Sequence, residues 1–344
     1  MGRINQQELA RQLNLSQTTI SRSLANHPAI NAETKALVLE TAAKMGYSQR
    51  IKRSQPGLAE QHPIVCGVLI SMPKGAMGAS ETFQQVLKGI ADKSSFHDSI
   101  LDVVYNDPEA TEPAQLMRRI KTAKWAGVIL IYPIEPMLAH EIANQTACVS
   151  IVENYRHDLI DSVDVDQADG IISLIQNLHL QGHKRIGFLS WRYRVPTPWV
   201  LHRFGSYVEG LYQNNLEFNP DWVINVRPDD QAETEECARR AAELVRQGVT
   251  AIVCPADHQG YRLVADLSKL GLRVPEDVSV SGFDGIPPPL GAKQLATIKV
   301  PYEELGRSAV HQLLRRIEQP TAPRRHTLVD GELLLGQTLT HPAS

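Results

Sequence analysis

The stretch Glu8–Tyr47, which reads ELARQLNLSQTTISRSLANHPAINAETKALVLETAAKMGY, decides the fold of the N-terminal part of this 344-residue chain. With the residues just before it, the stretch predicts three short helices, each opened by a residue that can cap a helix N-terminus: Asn5, Ser16 and Asn31. In the third helix, the residues predicted to face inward are Leu37, Val38, Ala42 and Met45. Residues 1–47 are therefore predicted to form a small all-α domain, which we call the head.

The second predicted helix carries a polar surface. Two helices of about eight residues joined by a tight turn, with a third that completes the core, are typical of a helix-turn-helix. The residues left outside that core are Gln17, Thr18, Ser21 and Arg22. Glutamine can pair with adenine, arginine with guanine, and hydroxyl groups with phosphate oxygens. The pattern predicts a DNA-reading helix, although a three-helix bundle with a merely solvated polar face would carry the same residues.

Charge is unevenly distributed along the chain. Residues 1–60 hold eight Lys or Arg and four Glu, a net charge of +4. Because the whole chain has a net charge of −3, the remaining 284 residues carry −7. A basic head on an acidic body indicates that the head meets a polyanion and that the body does not. Because only four charges make the difference, chance is the alternative explanation.

The composition excludes several classes of protein. With 42% hydrophobic and 21% charged residues, the chain is predicted to be globular and to hold about two or three domains. No apolar run approaches the roughly 18 residues of a membrane span. The start MGRINQQELARQLN lacks the apolar stretch of a signal peptide, so we expect a cytoplasmic protein. Four cysteines without CxxC spacing, and no GxGxxG, P-loop, GxSxG or HExxH motif, predict no metal site, no cofactor and no enzyme activity.

The head resembles that of the LacI/GalR family of bacterial transcription regulators. The family's recognition-helix pattern VSxxTVSRxLN appears here as LSQTTISRSLA, and its third-helix pattern ends here in MGY. The resemblance implies that bases are contacted by Gln17, Thr18 and Arg22, and phosphates mostly by Ser16, Thr19 and Ser21. Because one short helix reads only a few base pairs, we expect a homodimer, or a tetramer, on a near-palindromic operator in double-stranded DNA.

The predicted linker, residues 48–62, departs from the family pattern. The family continues here with a hinge helix whose leucine enters the minor groove, whereas Pro56-Gly57 would break such a helix. We hypothesise that this chain lacks a standard hinge helix and that additional phosphate contacts come from Arg50, Lys52 and Arg53. A flexible basic tether is an equally consistent alternative.

From residue 63 onward, short apolar runs alternate with amphipathic stretches. The predicted strands are Ile64–Ile70, Ile100–Tyr105, Gly127–Tyr132, Cys148–Val152, Arg185–Ser190, Trp222–Val226, Thr250–Pro255, Val278–Gly282 and Ala296–Val300. The helical patterns between them include Glu81–Lys93, Gln167–Leu180, Thr234–Gln247 and Tyr302–Ile317. Such alternation predicts parallel sheets covered by helices, and about ten strands suggest two sheets rather than one.

The body, residues 63–341, shares the family resemblance. The matching passages are QGHKRIGFLS (Gln181–Ser190), PADHQGYRLVADLSKLGLRVPEDVSVSGFDG (Pro255–Gly285) and LATIKVPYEELGRSAVHQLL (Leu295–Leu314). The resemblance implies a body like a periplasmic sugar-binding protein, with two doubly wound α/β lobes joined by three crossovers. One lobe would span about 63–162 and 286–320, and the other about 163–285 and 321–341. The ligand of such a body is expected in the cleft between the lobes.

The resemblance implies that three charged residues bind the effector. Asp284 matches the first acid of the family's GFDD motif, whose carboxylate accepts two sugar hydroxyls, and Arg203 matches the arginine of its RLxGY motif. Asp257 matches the acid of its ND motif. Two polar positions of the family differ here, because the second acid is Gly285 and the residue before Asp257 is Ala256. For Asp284 and Arg203 the alternative is a salt bridge that only ties loops together.

The loop from Ser190 to Trp199 follows a predicted strand and should line the cleft. Tryptophan stacks on the apolar faces of sugars, and arginine pairs with carboxylates or phosphates. The candidate residues of this loop are Trp191, Arg192, Arg194 and Trp199, and two candidates from other strand ends are Ser71 and Tyr132. The expected effector is a sugar or sugar derivative, sugar acids and phosphates included. A solvated surface loop is the alternative.

Together these features predict a sequence-specific DNA-binding transcriptional repressor whose operator affinity is controlled by a small effector in the interlobe cleft. No catalytic residue is predicted. The alternatives are a cytosolic solute-binding receptor and a sugar-modifying enzyme. The basic head argues against both, because neither class needs a DNA-binding domain.

Overall fold

A computed structural model describes residues 4–47, 64–72, 81–95, 99–107, 111–155, 159–192, 197–226 and 231–342. The chain divides into two compact units. Unit 1 comprises residues 1–164 and 302–329, and unit 2 comprises residues 165–301 and 330–344. Within the described ranges, no helix is long and apolar enough to cross a membrane. No group of three or more His, Cys, Asp or Glu side chains in those ranges is arranged to hold a metal ion.

Helices and strands alternate through most of the body. The helices are α1 (Gln6–Leu13), α2 (Gln17–Leu24), α3 (Ala32–Lys44), α4 (Glu81–Ser94), α5 (Pro113–Ala123), α6 (Pro136–Ala143), α7 (Gln167–Leu180), α8 (Pro198–Gln213), α9 (Gln231–Arg246), α10 (Asp257–Lys269) and α11 (Tyr302–Glu318). The strands are β1 (Ile64–Ser71), β2 (Ser99–Asn106), β3 (Gly127–Ile131), β4 (Ala147–Ile151), β5 (Ile160–Val165), β6 (Ile186–Trp191), β7 (Val223–Val226), β8 (Ala251–Val253), β9 (Ser279–Ser281), β10 (Thr297–Lys299), β11 (His326–Val329) and β12 (Glu332–Leu334).

The head folds as three capped helices. The caps are the predicted ones, and in each the side-chain oxygen accepts a hydrogen bond from the backbone N–H three residues on. The donor–acceptor distances are 3.0 Å for Asn5, 3.0 Å for Ser16 and 2.7 Å for Asn31. The small core that these helices enclose is formed by Leu9, Ile20, Leu24, Val38 and Leu39.

One prediction for the core of the head is wrong. Leu37 is exposed, and Leu39 is buried in its place. Successive helical residues are rotated by about 100° from one another, so the buried positions Val38 and Ala42 share a face with Leu39 and not with Leu37. The apolar run Ala-Leu-Val-Leu left this choice open, and packing against the other two helices decided it.

Unit 1 contains a six-stranded sheet in the order β11-β5-β4-β3-β1-β2. From β2 to β5, neighbouring strands pair in parallel. β1 and β3 are almost entirely buried, as expected for strands covered on both faces. β5 and β11 were not predicted as strands, because Asp161 and Asp164 interrupt the apolar pattern of the first and polar residues that of the second.

Unit 2 contains a four-stranded sheet in the order β7-β6-β8-β9, with all neighbours parallel. A separate antiparallel ribbon joins β10 to β12. Because parallel strands point the same way, the residues that follow β6, β8 and β9 meet at one edge of the sheet. The predicted fold class, an all-α helix-turn-helix head and a body of two doubly wound α/β lobes, is confirmed.

The boundaries between the two units differ from those expected for the lobes. Residues 286–301 belong to unit 2, and residues 321–329 belong to unit 1. The first difference arises because β10 pairs with β12. The second arises because the guanidinium of Arg316 donates to the carbonyl oxygens of Pro320, Ala322 and Pro323, which holds that loop in unit 1.

Candidate DNA-reading face and effector site

Helix α2 presents a polar face on the surface of the head. Its buried side carries Ile20, Ser23 and Leu24. Its exposed side carries the four residues predicted to lie outside the core, Gln17, Thr18, Ser21 and Arg22. Gln17 neighbours Ser21, and Thr18 neighbours both Ser21 and Arg22, because these pairs lie three or four residues apart on the helix. The face combines an amide, two hydroxyls and a guanidinium, which is a set of groups suited to base edges and phosphates.

The N-terminal end of α2 is organised by two hydroxyl groups. Ser16 Oγ accepts from the backbone N–H of Thr19 at 3.0 Å and shares a hydrogen bond of 2.8 Å with Thr19 Oγ1. The free N–H groups and the positive end of the helix dipole favour an anion at this point. Ser16 and Thr19 therefore lie where a phosphate contact would form, although both hydroxyls also serve the cap.

Four of the predicted site residues lie outside the described residues. They are Arg50, Lys52 and Arg53 of the linker and Arg194 of the loop after β6. The Pro56-Gly57 break lies outside them as well. The phosphate contacts of the linker and the anion contact of Arg194 stay predictions.

In unit 2, Arg203 and Asp284 form the salt bridge that was the alternative to their predicted effector contact. Arg203 Nη1 lies 3.3 Å from Asp284 Oδ1. Helix α8 supplies the arginine, and the loop after β9 supplies the aspartate. The guanidinium is buried, and its Nε donates to Gln167 Oε1 at 3.1 Å while Nη1 also donates to the carbonyl oxygen of Pro255. Arg203 is thus held in one orientation by three polar partners.

Two aromatic rings contact the same guanidinium. The carbon at its centre lies 3.7 Å from the ring centroid of Phe283 and 4.8 Å from that of Trp199. Aromatic faces stabilise a cation and leave its N–H groups free to donate. Phe283 is fully buried, whereas Trp199 is half-buried and retains surface that a ligand can reach.

The backbone at Asp284 is strained. Its φ is 125°, in a region that non-glycine residues rarely adopt, and φ of the following Gly285 is 75°. Backbone hydrogen bonds hold this conformation, with Asp284 N donating to Ile298 O at 2.9 Å and Val300 N donating to Asp284 O at 3.2 Å. Strain that the surroundings maintain in this way is typical of residues placed for a function.

Asp257 lies beneath the Asp284 loop. Its side chain is fully buried, and Oδ2 accepts a hydrogen bond of 2.8 Å from the backbone N–H of Ile286. Burial, and to a smaller extent the neighbouring Asp284 carboxylate, raises the pKa of Asp257 to about 7. A carboxylate with no exposed surface does not meet a solute directly, so the expected effector contact of Asp257 gives way to support of the loop that carries Asp284.

The rings of Trp191 and His258 also pack against each other in unit 2. Their ring centroids lie 5.2 Å apart in an edge-to-face arrangement. His258 follows Asp257 in the first turn of α10, and burial lowers the pKa of His258 while the Asp284 carboxylate acts in the opposite direction. Arg192 is exposed beside Trp191. His258 was not among the predicted site residues. The only indication in the sequence was its position directly after Asp257.

The two remaining candidates, Ser71 and Tyr132, belong to unit 1. Ser71 ends β1 and Tyr132 follows β3, and these parallel strands align Ile70 with Ile131. The register therefore brings Ser71 and Tyr132 to the same edge of the sheet. Ser71 is buried, whereas Tyr132 is half-buried and has a φ of 67°. The other described effector candidates lie in unit 2, where Arg203 contacts both Asp284 and Trp199.

The sequence and the fold of this chain resemble those of several known proteins. Residues 175–339 match the model of a periplasmic binding protein-like domain. The HTH-type transcriptional repressor CytR of Escherichia coli (strain K12) is 24% identical over 97% of this chain and 96% of its own length. A crystal structure of the lac repressor dimer bound to operator and the anti-inducer ONPF has a TM-score of 0.66 at 18% identity, over 98% of this chain and 100% of that one. A complex of the transcriptional regulator CelR with cellobiose has a TM-score of 0.68 at 18% identity, with the same coverage of 98% and 100%.

Over nearly its whole length, the chain is similar to an HTH-type transcriptional repressor and, in fold, to the lac repressor. Within the LacI/GalR pattern, the structure explains why the second acid of the GFDD motif is absent. A Cβ atom on Gly285 would lie 2.7 Å from Lys299 Cα, and its φ of 75° disfavours any side chain. Ala256, where the pattern has asparagine, is buried at the start of α10. At this position the chain therefore presents one half-buried carboxylate, that of Asp284, where the family motif has two acids.

Proposed function

We propose that this chain is a sequence-specific DNA-binding transcriptional repressor whose operator affinity is controlled by a small effector. The observation that carries the proposal is the exposed polar face of α2 on a fully capped helix-turn-helix. The relatives support it, because CytR is named an HTH-type transcriptional repressor and the lac repressor structure contains an operator. The protein acts in the cytoplasm, and it binds and releases its effector unchanged.

The proposed DNA contacts follow from the geometry of α2. The helix enters the major groove, where Gln17, Thr18 and Arg22 meet base edges. Ser16, Thr19 and Ser21 contact phosphates, and the basic linker residues add further phosphate contacts. Because eight helical residues read only a few base pairs, two heads of a homodimer, or of a dimer within a tetramer, bind a near-palindromic operator.

The proposed effector is a sugar or a sugar derivative, a class supported by the cellobiose complex of CelR. The Asp284 carboxylate accepts hydrogen bonds from sugar hydroxyls. Arg203 donates from Nη2, which no described residue engages, while its other nitrogens keep it in place. Trp191 and Trp199 supply faces on which the apolar side of a sugar ring stacks. Arg192 and Arg194 extend the specificity to sugar acids or phosphates.

Effector and operator binding are coupled through the arrangement of the two units. In this proposal Ser71 and Tyr132 of unit 1 also contact the effector. An effector with different affinities for two arrangements of the units shifts the population between them. The operator affinity of the heads then changes by the corresponding factor.

The proposal is tested with purified full-length protein. Sheared genomic DNA of the source organism is passed over the immobilised protein, and the retained duplexes are sequenced and titrated by fluorescence anisotropy. In parallel, sugars, sugar acids and sugar phosphates are screened for thermal stabilisation, and each hit is added to the titration. Retention of one sequence class, with an affinity that a hit changes, supports the proposal. Indifference to every duplex, with and without these metabolites, contradicts it.

Arg22 provides the sharpest single-residue test of DNA reading. Arg22→Ala is expected to weaken specific binding by about 1–3 kcal/mol per contacted site and to relax the base preference at one operator position. The control is Arg11→Ala, which removes the same charge from α1, where Arg11 is exposed and lies 4.0 Å from Glu8. Equal, sequence-independent losses in the two variants would mean that α2 does not read bases.

A further inference from the structure

The third helix of the head packs against the body part of unit 1. Its neighbours are α4 and β2, the strand at one edge of the six-stranded sheet. Asn26 Nδ2 donates to the backbone oxygen of Ser99 at 3.0 Å, and Gln84 Nε2 donates to Glu40 Oε2 at 2.8 Å. We call Asn26, Lys35 and Glu40 of the head, with Gln84 and Ser99 of the body, the docking interface.

The docking interface is polar, and its hydrogen bonding is incomplete. Lys35 is buried and donates to the backbone oxygen of Asn26 at 3.3 Å. Burial lowers the pKa of Lys35, against the opposing effect of Asp92. Asn26 Oδ1 is buried and has no hydrogen-bond partner among the described residues. Buried charges and unpaired polar atoms cost free energy, so this contact suits reversible docking better than permanent closure.

The docking interface reaches the DNA-reading helix through Asn26. Helix α2 ends at Leu24, and Ala25 is its C-cap, so Asn26 is the first residue beyond the cap. Its φ of 52° turns the chain away from the helix axis. The bond to Ser99 ties this end of α2 to the first residue of β2, while the polar face of α2 remains exposed. Docking therefore orients the helix without covering it.

We propose that the docking interface sets the orientation of α2 and transmits the state of unit 1 to the DNA-reading face. This inference rests on the proposed function and adds to it a route from the body to the head that does not run through the linker. The linker sequence is consistent with such a route, because Pro56-Gly57 disfavours a continuous helix through the linker. A docked head also reduces the orientational freedom that α2 loses on binding DNA.

Two variants of the full-length chain weaken the docking interface from opposite sides. Asn26→Gly removes the amide that bonds to Ser99 and keeps a residue that tolerates a φ of 52°. Gln84→Ala removes the donor to Glu40. The matched control is Gln85→Ala, because Gln85 is the same residue type at the next position of α4, is exposed, and bonds to no described residue.

Two measurements follow the variants. Hydrogen exchange monitors the peptides that cover α3 and β2, and anisotropy monitors binding to the operator selected by the wild-type chain. Asn26→Gly and Gln84→Ala are each expected to speed exchange in both peptides and to weaken operator binding about threefold to tenfold, as the loss of one hydrogen bond predicts. Gln85→Ala is expected to match the wild type in both measurements. Slow exchange retained in α1 shows that the head stays folded.

Three results would overturn the inference. Wild-type exchange rates in both variants would mean that the contact does not form in solution. Faster exchange with unchanged operator affinity would mean that docking has no influence on DNA reading. A wild-type chain that binds no duplex would remove the proposed function and this coupling with it, and the exchange data would still show whether the head docks.

Discussion

At the scale of single residues, the side chains of the proposed effector site are fixed by their neighbours in the folded chain. Arg203 keeps one orientation through Gln167, Pro255 and two aromatic rings. Asp284 is presented by a strained backbone that hydrogen bonds on both sides maintain. Groups fixed in this way lose little conformational entropy on binding.

Asp284→Ala is expected to weaken effector binding about tenfold to a hundredfold, since hydrogen bonds to a charged group contribute about 1.5–3 kcal/mol. Operator affinity without effector should stay near that of the wild type, because Asp284 lies in unit 2 and the DNA-reading face in unit 1. Calorimetry with a hit from the thermal screen measures the first effect, and anisotropy the second. Glu217→Ala, an exposed acid of unit 2, is the control. Unimpaired binding by Asp284→Ala would restrict Asp284 to a salt bridge between loops.

Asp257 makes the stability of unit 2 depend on pH in an unusual direction. Burial raises its pKa to about 7 in the folded chain, whereas an unfolded aspartate has a pKa of about 3.9. The folded state therefore binds the extra proton between about pH 4 and pH 7, and stability falls as pH rises through that window. Asp257→Asn, which mimics the protonated form, is expected to raise the free energy of unfolding by up to about 4 kcal/mol at pH 8 and to have little effect at pH 4.

Denaturant unfolding across this pH range measures the effect. Asp277→Asn is a control of opposite sign, because hydrogen bonds from Arg273 lower the pKa of Asp277 to about 2. That change should not stabilise the protein at any pH in the window. A stability gain for Asp257→Asn that is the same at pH 4 and pH 8 would show that ionisation of Asp257 is not its cause.

At the scale of elements, α11 and β5 are joined by a buried ionic network. Asp161 of β5 accepts from Arg316 through both carboxylate oxygens and from Arg315 at 2.6 Å. Burial by itself would raise the pKa of Asp161, but the hydrogen bonds from Arg316, from the backbone of Arg325 and from Arg315 lower it. The same α11 approaches α4 closely, because a Cβ atom on Gly89 would lie 1.9 Å from Glu303 O. Charge pairing with Asp161 and close backbone packing against α4 thus hold α11 in unit 1.

Asp161→Asn is expected to lower the free energy of unfolding of unit 1 by about 3–5 kcal/mol, because it leaves buried arginine without its counter-ion. Glu303→Gln is the control on the same helix, since Glu303 pairs with Lys88 and Arg307 in side chains that are about one third exposed. Its loss should stay below about 1 kcal/mol. Equal losses in the two variants, measured by urea unfolding, would mean that the Asp161 network contributes no more than a surface ion pair.

At the scale of the whole molecule, the proposed function combines a DNA-reading head and an effector-binding unit in one regulator. The head is continuous with unit 1, whereas the described residues around Asp284 lie in unit 2. Communication between operator and effector therefore has to cross from one unit to the other. Thermodynamic linkage requires this communication to be reciprocal.

The reciprocity is a quantitative prediction. If a saturating effector changes operator affinity by about tenfold to a hundredfold, saturating operator must change effector affinity by the same factor in the same direction. Anisotropy titrations with and without effector give the first factor, and calorimetry with and without operator duplex gives the second. In Gln84→Ala both factors should shrink together if the docking interface carries the coupling. Factors that differ would show that the two ligands act on separate populations of the protein.

The sequence by itself determined those features that depend on neighbours along the chain. The three caps of the head, the polar face of α2 and most strands of the body follow from local spacing of apolar and capping residues, and the structure agrees with them. Family motifs also located Asp284 and Arg203, which do meet at 3.3 Å. Local patterns succeed here because helix capping and the two periodicities act over only a few residues.

Only the tertiary structure decided the features that depend on residues far apart in the chain. Asp257, which was expected to contact the effector, is fully buried, and His258 meets Trp191 across 67 positions of sequence. The boundaries of the two units differ from those expected for the lobes, because β10 pairs with β12 and because Arg316 holds the loop after α11 in unit 1. The head contacts the body through Asn26 and Ser99, which no local pattern connects. The physical reason is that burial, strand pairing and ion pairing depend on which distant surfaces pack together. The spacing of residues along one segment does not determine which surfaces those are.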